Sequence, residues 1–364
     1  APPPGPPVAA AAGPAQPLVV RCEDTPVVGW HRVSISVDAT GLDARERVSL
    51  RFAPSRTHAD IAAAAEDAAL AALALVFVND QGRAVVCQGG PCGDSSGRPE
   101  ISSLQPEQIE LIQAVAARNP NTVVVLNTGT PLIVKEWIDL PHVKAVLNLW
   151  HAGQEGGTAA ARLLLGQANP SGHTSLTWPL DNGDTLYGHA QPRGLYAGDT
   201  PGTHPERLNG LANGDSEQTQ GIYSGYRYYD QLGLPVQFPF GYGLSYTSFA
   251  FAGLEVGATA DGGADVSFEL RNTGRVRGTE VAQVYVGPGP AVDGVQQAVR
   301  SLAGFARVDL AAGEARRVRI HLEPRAFQYW SEAQQRWLRN GPRSIYVGNA
   351  SDPARLPLSA PIGM

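Results

Sequence analysis

Residues 106–126, PEQIELIQAVAARNPNTVVVL, decide the fold class. Pro106 suits the first turn of a helix, where its missing N–H costs nothing, and Ile109, Ile112, Val115 and Ala116 recur at helical spacing until Asn119-Pro120 ends the pattern. Thr122-Val-Val-Val-Leu126 follows without polar alternation, as expected of a strand covered on both faces. The same grammar extends outward. Thr57 can cap a helix from about His58 to Ala72, which runs into the apolar Leu73-Ala-Leu-Val-Phe-Val78. Downstream, Val143 to Leu149 reads as a strand, Gln154 to Leu165 as a helix and Thr174 to Trp178 as a further strand. Strands alternating with helices predict an α/β sandwich: a parallel-rich sheet with helices on both faces.

Around this block the character of the chain changes. Residues 1–17 are an Ala/Pro tract that reads as a linker, and residues 18–56 are a short β-rich segment, with Val33, Ile35 and Val37 in one run and Val48, Leu50 and Phe52 in another. Those strands need partners. The α/β domain is expected over 57–180, an irregular connector rich in Gly, Asn, Asp, Pro and Tyr over 181–246, and an all-β domain over 247–364. In the last, Val266, Phe268 and Leu270 alternate, as do Val284 and Val286, and Val318, Ile320 and Leu322, between turns such as Asn272-Thr-Gly274. Short alternating strands at this spacing predict a β-sandwich.

Charge and composition exclude several function classes. Lys plus Arg number 28 against 34 Asp plus Glu, and Lys135 and Lys144 are the sole lysines, so no basic patch to hold a nucleic acid is formed. The longest apolar stretch, Ala68 to Val78, falls short of the roughly 20 residues of a membrane helix, so no membrane partner is expected. Three cysteines cannot all pair within the chain; Cys87 and Cys92 share one Gly/Pro-rich loop, where a bridge would fit a secreted or periplasmic setting, while unpaired thiols would fit a reducing one.

Several signatures of chemistry fail. GxxxxGK[ST] and HExxH do not occur, and the eight histidines are scattered, so neither a cofactor nor a metal is expected. Gly241-Tyr-Gly243 does not continue into GxGxxG, because Tyr246 takes the last place. Gly93-Asp-Ser-Ser-Gly97 satisfies GxSxG, and His142 or His173 lies downstream, but a nucleophile elbow needs a strand directly before the serine and a helix directly after it. Here Gly/Pro-rich chain precedes and Arg98-Pro99 follows. The aromatic clusters Tyr223 to Tyr229 and Phe238 to Tyr242 read as packing of the connector, with a sugar platform as the alternative.

Three long runs carry a resemblance. LNLWHAGQEGGTAAARLLLGQANPSGHTSLTWP (147–179), GIYSGYRYYD (221–230) and FPFGYGLSYTSF (238–249) resemble, in this order, the C-terminal half of glycoside hydrolase family 3, the β-glucosidase and β-xylosidase family. LRNTGRVRGTEVAQVYVGP (270–288) and SLAGFARVDLAAGEARRVRIHLEPRAF (301–327) resemble the fibronectin-III-like domain that ends many members. The resemblance implies a retaining β-glycosidase that hydrolyses terminal β-linked sugars, with an N-terminal TIM-like barrel before the α/β sandwich and the active site between them. A barrel aspartate would attack the anomeric carbon, and a glutamate in a loop of the sandwich would protonate the leaving oxygen. Retention requires two carboxyl groups about 5 Å apart, one ionised and one protonated.

Two departures qualify that picture. About 60 residues before the sandwich cannot make eight βα units, which take some 250 residues, and no segment bearing the nucleophilic aspartate is found. The chain is thus expected to be one half of a cleaved enzyme, a subunit whose partner is a barrel-bearing chain or fragment, or a non-catalytic carbohydrate-binding or scaffolding protein that retains the fold. In the acid/base loop, relatives commonly read E-G-x-D-R and then P-x-L-x-L-P-x-x-Q; here Arg98-Pro99 precedes Ile101, Leu104 and Gln108, and the glutamate position falls on Asp94. Its shorter arm retracts the proton donor by about one methylene, comparable to 1 Å misplacements that cost roughly 100-fold in rate. Asp94 and Glu100 are the candidate general acid/base residues, with Asp80 third and solvated loop carboxylates as the competing reading; Arg98 is a candidate anchor for the loop.

Overall fold

The computed structural model describes residues 20–22, 33–35, 48–51, 58–79, 103–185 and 221–363. The chain divides into two compact units, the first built from 1–81, 104–129 and 136–164 and the second from 82–103, 130–135 and 165–364.

The first unit holds a four-stranded sheet of β3 (Val48–Arg51), β4 (Leu73–Asn79), β5 (Thr122–Asn127) and β6 (Val143–Asn148), in that order, with every pair parallel. A separate antiparallel pair, β1 (Val20–Cys22) and β2 (Val33–Ile35), aligns Val20 with Ile35. The β-rich segment near the N-terminus therefore contributes one strand, β3, to the parallel sheet. α1 (His58–Ala69) joins β3 to β4, and α2 (Pro106–Arg118) leads into β5. Strands laid down in sequential order by right-handed crossovers put their connecting helices on one face, and α1 and α2 do pack together there. α2 buries Ile109, Leu111, Ile112, Val115 and Ala116. Fully burying one such Leu, Ile or Val side chain contributes about 1.5–3 kcal/mol.

One asparagine finishes both helices. Asn119 is fully buried, and its Nδ2 donates at 2.7 Å each to the carbonyls of Ala68, which also receives Ala71 N–H, and of Ala71, just beyond the end of α1. Its backbone N–H closes on Val115 O, and its Oδ1 accepts from Asn121 N–H. The third helix, α3 (Gly156–Leu164), follows β6.

The strand expected over Thr174 to Trp178 does not join the parallel sheet. Thr174 Oγ1 bonds the Leu176 carbonyl and receives Trp178 Nε1–H, a local alternative to a sheet ladder. The Thr174 backbone exchanges bonds with Tyr242 O and Gly241 N–H, and β7 (Trp178–Pro179) runs antiparallel to β8 (Val236–Phe238) in the second unit. The connector also holds a helix that its weak periodicity hides, α4 (Tyr226–Leu232), ended by Gly233 in the left-handed conformation at φ 63°.

The rest of the second unit is a two-sheet antiparallel sandwich. One sheet runs β13-β10-β9 and the other β12-β11-β16-β17, with β9 at Phe249–Ala258, β10 at Ala264–Asn272, β11 at Gly278–Val286, β12 at Ser301–Leu310, β13 at Ala315–Leu322, β16 at Arg343–Gly348 and β17 at Leu358–Ile362. A hairpin of β14 (Tyr329–Ser331) and β15 (Arg336–Leu338) stands apart and pairs Trp330 with Trp337. Every alternating residue named from the sequence, Val266, Phe268, Leu270, Val284, Val286, Val318, Ile320 and Leu322, lies in the sandwich core. The Asn272-Thr-Gly274 turn forms as expected: buried Asn272 accepts Gly274 N–H and Thr247 Oγ1–H and donates to Val276 and Leu310 carbonyls.

Candidate functional site

In open parallel sheets ligands gather at the carboxyl ends of the strands. In the first unit β4, β5 and β6 each end on an asparagine, Asn79, Asn127 and Asn148, with Asn79 level with Asn127 and Asn148 level with Leu126. Each side chain is placed differently. Gln108, in the first turn of α2, donates Nε2–H to Asn79 Oδ1 at 3.2 Å. Asn127 is exposed. Asn148 Oδ1 receives the Trp150 N–H at 3.2 Å, holding a turn in which Trp150 takes φ 54°, a left-handed conformation seldom adopted by a residue with a side chain.

That turn opens the WHAGQEGG stretch. His151 lies against Gly129, where a Cβ would come within 2.4 Å of His151 Nε2, so the glycine is what lets the imidazole approach. Gly153, at φ 69°, receives Gly156 N–H on its carbonyl, and α3 starts there. The edge thus offers neutral amides, an indole and an imidazole, groups that suit a polyol better than a phosphate or a metal. Among the described residues no cluster of three or more His, Cys, Asp or Glu could hold a metal ion.

Asp94, Glu100 and Asp80 lie outside the described residues, as do Cys87, Cys92, Ser95 and Arg98. Asp80 follows directly on Asn79, so the chain enters the acidic segment from the carboxyl edge of β4. Sequence reading passed over the three asparagines. Their signal was present as a repeated strand ending, Phe-Val-Asn79, Val-Leu-Asn127 and Val-Leu-Asn148, at the point where an apolar run meets solvent.

The two histidines named beside the GxSxG segment bond to other groups among the described residues. His142 Nδ1 bonds Ala116 O at 2.7 Å in the first unit. His173 belongs to a buried network in the second: Nε2 lies 2.9 Å from Glu280 Oε1, Nδ1 bonds the Gly241 carbonyl, and Glu280 Oε2 receives Asn349 Nδ2–H at 3.1 Å. Burial alone would lower the His173 pKa; the bonds to Glu280 and Gly241, with the Glu280 charge, outweigh it and hold the group above its ordinary value. Nearby, Arg300 pairs with Asp230 at 2.9 Å, and burial keeps the Asp230 carboxyl above the usual range even though Arg300 pulls it down.

The aromatic clusters pack inward. Phe238 stacks on Tyr242 at 5.1 Å and meets Trp178 edge-on at 5.7 Å, Tyr226 stacks on Phe240 at 5.1 Å, and Tyr228 and Tyr229 are buried. Burial raises both of these phenols to about 12. The connector is held by ring packing, and these faces are spent on it.

The two folds and their order match known domains. The glycosyl hydrolase family 3 C-terminal domain covers residues 13–246, and a fibronectin type III-like domain covers 280–351. This chain belongs to glycosyl hydrolase family 3. It is similar to an exo-α-(1→6)-L-arabinopyranosidase of Bifidobacterium longum, 38% identical over 250 residues that make up 68% of this chain and 30% of the relative. It is similar also to β-glucosidase B of Emericella nidulans, 35% identical over 267 residues, 71% of this chain and 30% of the relative. Among solved structures, the β-glucosidase DesR of Streptomyces venezuelae superposes with a TM-score of 0.69 at 35% identity, over 85% of this chain and 36% of its own. A family 3 β-glucosidase of Bifidobacterium adolescentis gives 0.69 at 31%, over 87% and 42%. The chain spans 30% of the length of these curated relatives, in their family's C-terminal domain.

Proposed function

We propose that this chain is the C-terminal portion of a retaining β-glycosidase of the β-glucosidase kind, which hydrolyses terminal β-linked sugars together with a barrel domain. The observation that carries the reading is the family 3 match over 13–246, which includes the carboxyl edge of the parallel sheet and the acidic segment that leaves it. In this reading the barrel supplies the attacking carboxylate, joined to this chain or borne on a separate chain or fragment. Residues 80–102 supply the proton donor, Asp94 or Glu100. The chemistry needs that division, since one carboxyl group must be ionised to attack and the other protonated to release the aglycone. The substrate is a carbohydrate, as the neutral amide and indole groups at the edge suggest.

The finer architecture belongs to the same proposal. The sequential order of β3 to β6 puts α1 and α2 on one face, and α3, which follows the last strand, is free to cover the other, giving a sheet with helices on both faces. The domain limits remain 57–180 for the α/β domain, 181–246 for the connector and 247–364 for the sandwich. A secreted or periplasmic location rests on Cys87 and Cys92 sharing one Gly/Pro-rich stretch of sequence, where a bridge would suit an oxidising compartment.

The test is hydrolysis of aryl β-D-glucopyranosides and aryl α-L-arabinopyranosides by this chain alone and by the chain supplied with a family 3 barrel. Turnover only with the barrel is the expected result. Robust turnover by the 364-residue chain alone overturns the division of labour, and binding of sugar without cleavage in either case favours a non-catalytic carbohydrate-binding protein.

A further inference from the structure

The aromatic rings of the connector turn inward, but one aromatic pair of the second unit turns outward. In the hairpin of β14 and β15, Trp330 stands directly across from Trp337, so both indoles lie on one face of the ribbon. Their centroids are 5.5 Å apart with planes inclined at 62°, and the rings remain 37% and 42% exposed. A cross-strand ring pair steadies a hairpin, but that use asks only that the rings touch each other. Here a third group holds them. Arg325, from the 3-10 turn Pro324–Phe327, sets its guanidinium carbon 3.8 Å from the centroid of Trp337, and Phe327 of the same turn is buried in the sandwich core. The rings are thus fixed before anything binds, and little rotamer freedom is left to lose on association.

The turn that joins the two strands adds polar groups in set positions. Gln335 takes φ 47°, a left-handed conformation seldom adopted by a residue with a side chain, and donates Nε2–H to the Glu332 carbonyl at 2.9 Å and to its carboxylate at 3.1 Å. Gln334 Oε1 accepts from Arg336 Nε and Nη2 at 3.0 and 2.7 Å. Donors and acceptors therefore follow directly on the ring pair, and the charges of Glu332 and Arg336 oppose each other. Such a set suits hydroxyl groups better than a polyanion or a polycation.

We propose that Trp330, Trp337 and the turn between them form a binding site for a single β-linked glucan chain. The choice of sugar follows from ring chemistry. β-D-Glucopyranose carries its hydroxyls equatorially, so both faces of the sugar present C–H hydrogens of partial positive charge, which match the negative face of an indole. The equatorial hydroxyls then extend sideways, toward donors and acceptors of the kind held at Glu332, Gln334 and Gln335. The 62° inclination selects the form of the ligand: rings so tilted cannot lie together on the flat face of a crystal, whereas a soluble chain that turns between units can meet both. Every residue of the site belongs to the sandwich unit, and the binding it performs goes beyond hydrolysis and does not depend on it.

The experiment titrates the full chain with laminarihexaose, a soluble β-1,3-linked glucan, by calorimetry. It compares Trp330→Thr and Trp337→Thr, which keep a residue suited to strands, with Phe305→Thr, which removes another exposed ring, on β12. Wild type is expected to bind with a Kd of about 1 mM or tighter, each tryptophan variant at least about 10-fold more weakly, and Phe305→Thr as wild type does. Absence of binding by wild type at about 10 mM sugar overturns the proposal, as does undiminished binding by either tryptophan variant, because the sugar then sits elsewhere on the chain. Retention on microcrystalline cellulose without binding of the hexasaccharide, or preference for polygalacturonate, overturns the choice of ligand. Self-association that the tryptophan variants lose would make the occupant a second copy and overturns it too. If a tryptophan variant does not fold, nuclear magnetic resonance of wild type decides: the indole N–H signals of Trp330 and Trp337 should shift with added laminarihexaose while that of buried Trp178 stays, and unmoved signals from the exposed pair overturn the proposal.

Discussion

His173 Nε2 stands 2.9 Å from Glu280 Oε1, and both side chains are nearly buried, His173 from the segment before β7 and Glu280 from β11 of the sandwich. Because Nδ1 simultaneously faces the Gly241 carbonyl, both ring nitrogens meet oxygen acceptors. A neutral imidazole can donate from only one nitrogen, so the arrangement is satisfied by the imidazolium. Its charge is then held between a carboxylate and a carbonyl inside the second unit.

Stability of the second unit should accordingly fall as pH rises. The folded-state pKa of His173 lies above its ordinary 6.5, so protonation favours the folded form; the contribution is fully present below the unfolded-state value and is lost as pH climbs through the folded-state one. Thermal melting of the chain from about pH 5 to pH 9 should show Tm declining across that window. His173→Gln should flatten this limb and, by removing the cation beside Glu280 while Asn349 Nδ2–H and Val281 N–H still reach its carboxylate, cost up to about 3 kcal/mol at low pH. A Tm profile of the same shape in wild type and His173→Gln would show that this pair does not set the pH response.

Gly348 in β16 predicts a steric failure. A Cβ built there would lie 1.9 Å from the Arg355 carbonyl oxygen, a backbone atom that also receives Asn349 N–H and cannot swing aside. Gly348→Ala should destabilise the sandwich by about 3 kcal/mol, the upper range for overpacking. Gly172→Ala, where a Cβ meets nothing within 4 Å, should stay within about 0.5 kcal/mol of wild type. Urea unfolding followed by tryptophan fluorescence distinguishes them, and equal midpoints would refute the steric argument.

Asn119 yields a third expectation. Replacing it by Ala removes the 2.7 Å side-chain donor from the buried Ala68 carbonyl, which keeps Ala71 N–H, and from the partly buried Ala71 carbonyl, while leaving the apolar face of α2 intact. The loss should be about 1–3 kcal/mol, with an unchanged denaturant slope because the same surface is exposed on unfolding. Asn119→Asp should cost at least as much, since a carboxylate brings charge and no donor. A variant as stable as wild type would mean that the end of α1 finds other donors.

What was legible in the sequence was what periodicity controls. Val266, Phe268 and Leu270 alternate because one face of β10 is core, and Thr122 to Leu126 does not alternate because β5 is largely buried. Pro106 and Asn119-Pro120 bracket α2 through constraints that act within a few residues. Long-range polar contacts left no such trace. Thr174 to Trp178 has the composition of a strand, yet the Thr174 backbone bonds Tyr242 and Gly241 outside the parallel sheet, its hydroxyl turns to Leu176 and Trp178, and strand pairing takes in only Trp178 and Pro179. The bonds from Gln108 to Asn79 and from His173 to Glu280 join positions 29 and 107 residues apart, and no local pattern announces them. The repeated asparagine at the ends of β4, β5 and β6 could have been seen, but its meaning depends on knowing that the three strands are parallel neighbours ending at one edge.

In the proposed glycosidase Asp94 and Glu100 are the two candidates for the proton donor, and leaving-group dependence separates them. A general acid lowers the barrier by donating a proton as the glycosidic oxygen departs, which matters in proportion to the basicity of that oxygen. Asp94→Asn should therefore reduce cleavage of an alkyl β-glycoside by about 100-fold or more in the chain-plus-barrel assembly, with a far smaller effect on a dinitrophenyl β-glycoside. Glu100→Gln should then leave both rates near wild type. If the split follows Glu100→Gln instead, the longer glutamate arm supplies the proton and Asp94 is relieved of the role; if both substrates slow equally in both variants, neither carboxyl group is the donor and Asp80 becomes the residue to change. Azide offers an independent check on the dinitrophenyl substrate: it attacks the glycosyl-enzyme without needing a base, so faster turnover with formation of a β-glycosyl azide marks the variant that lost the acid/base residue.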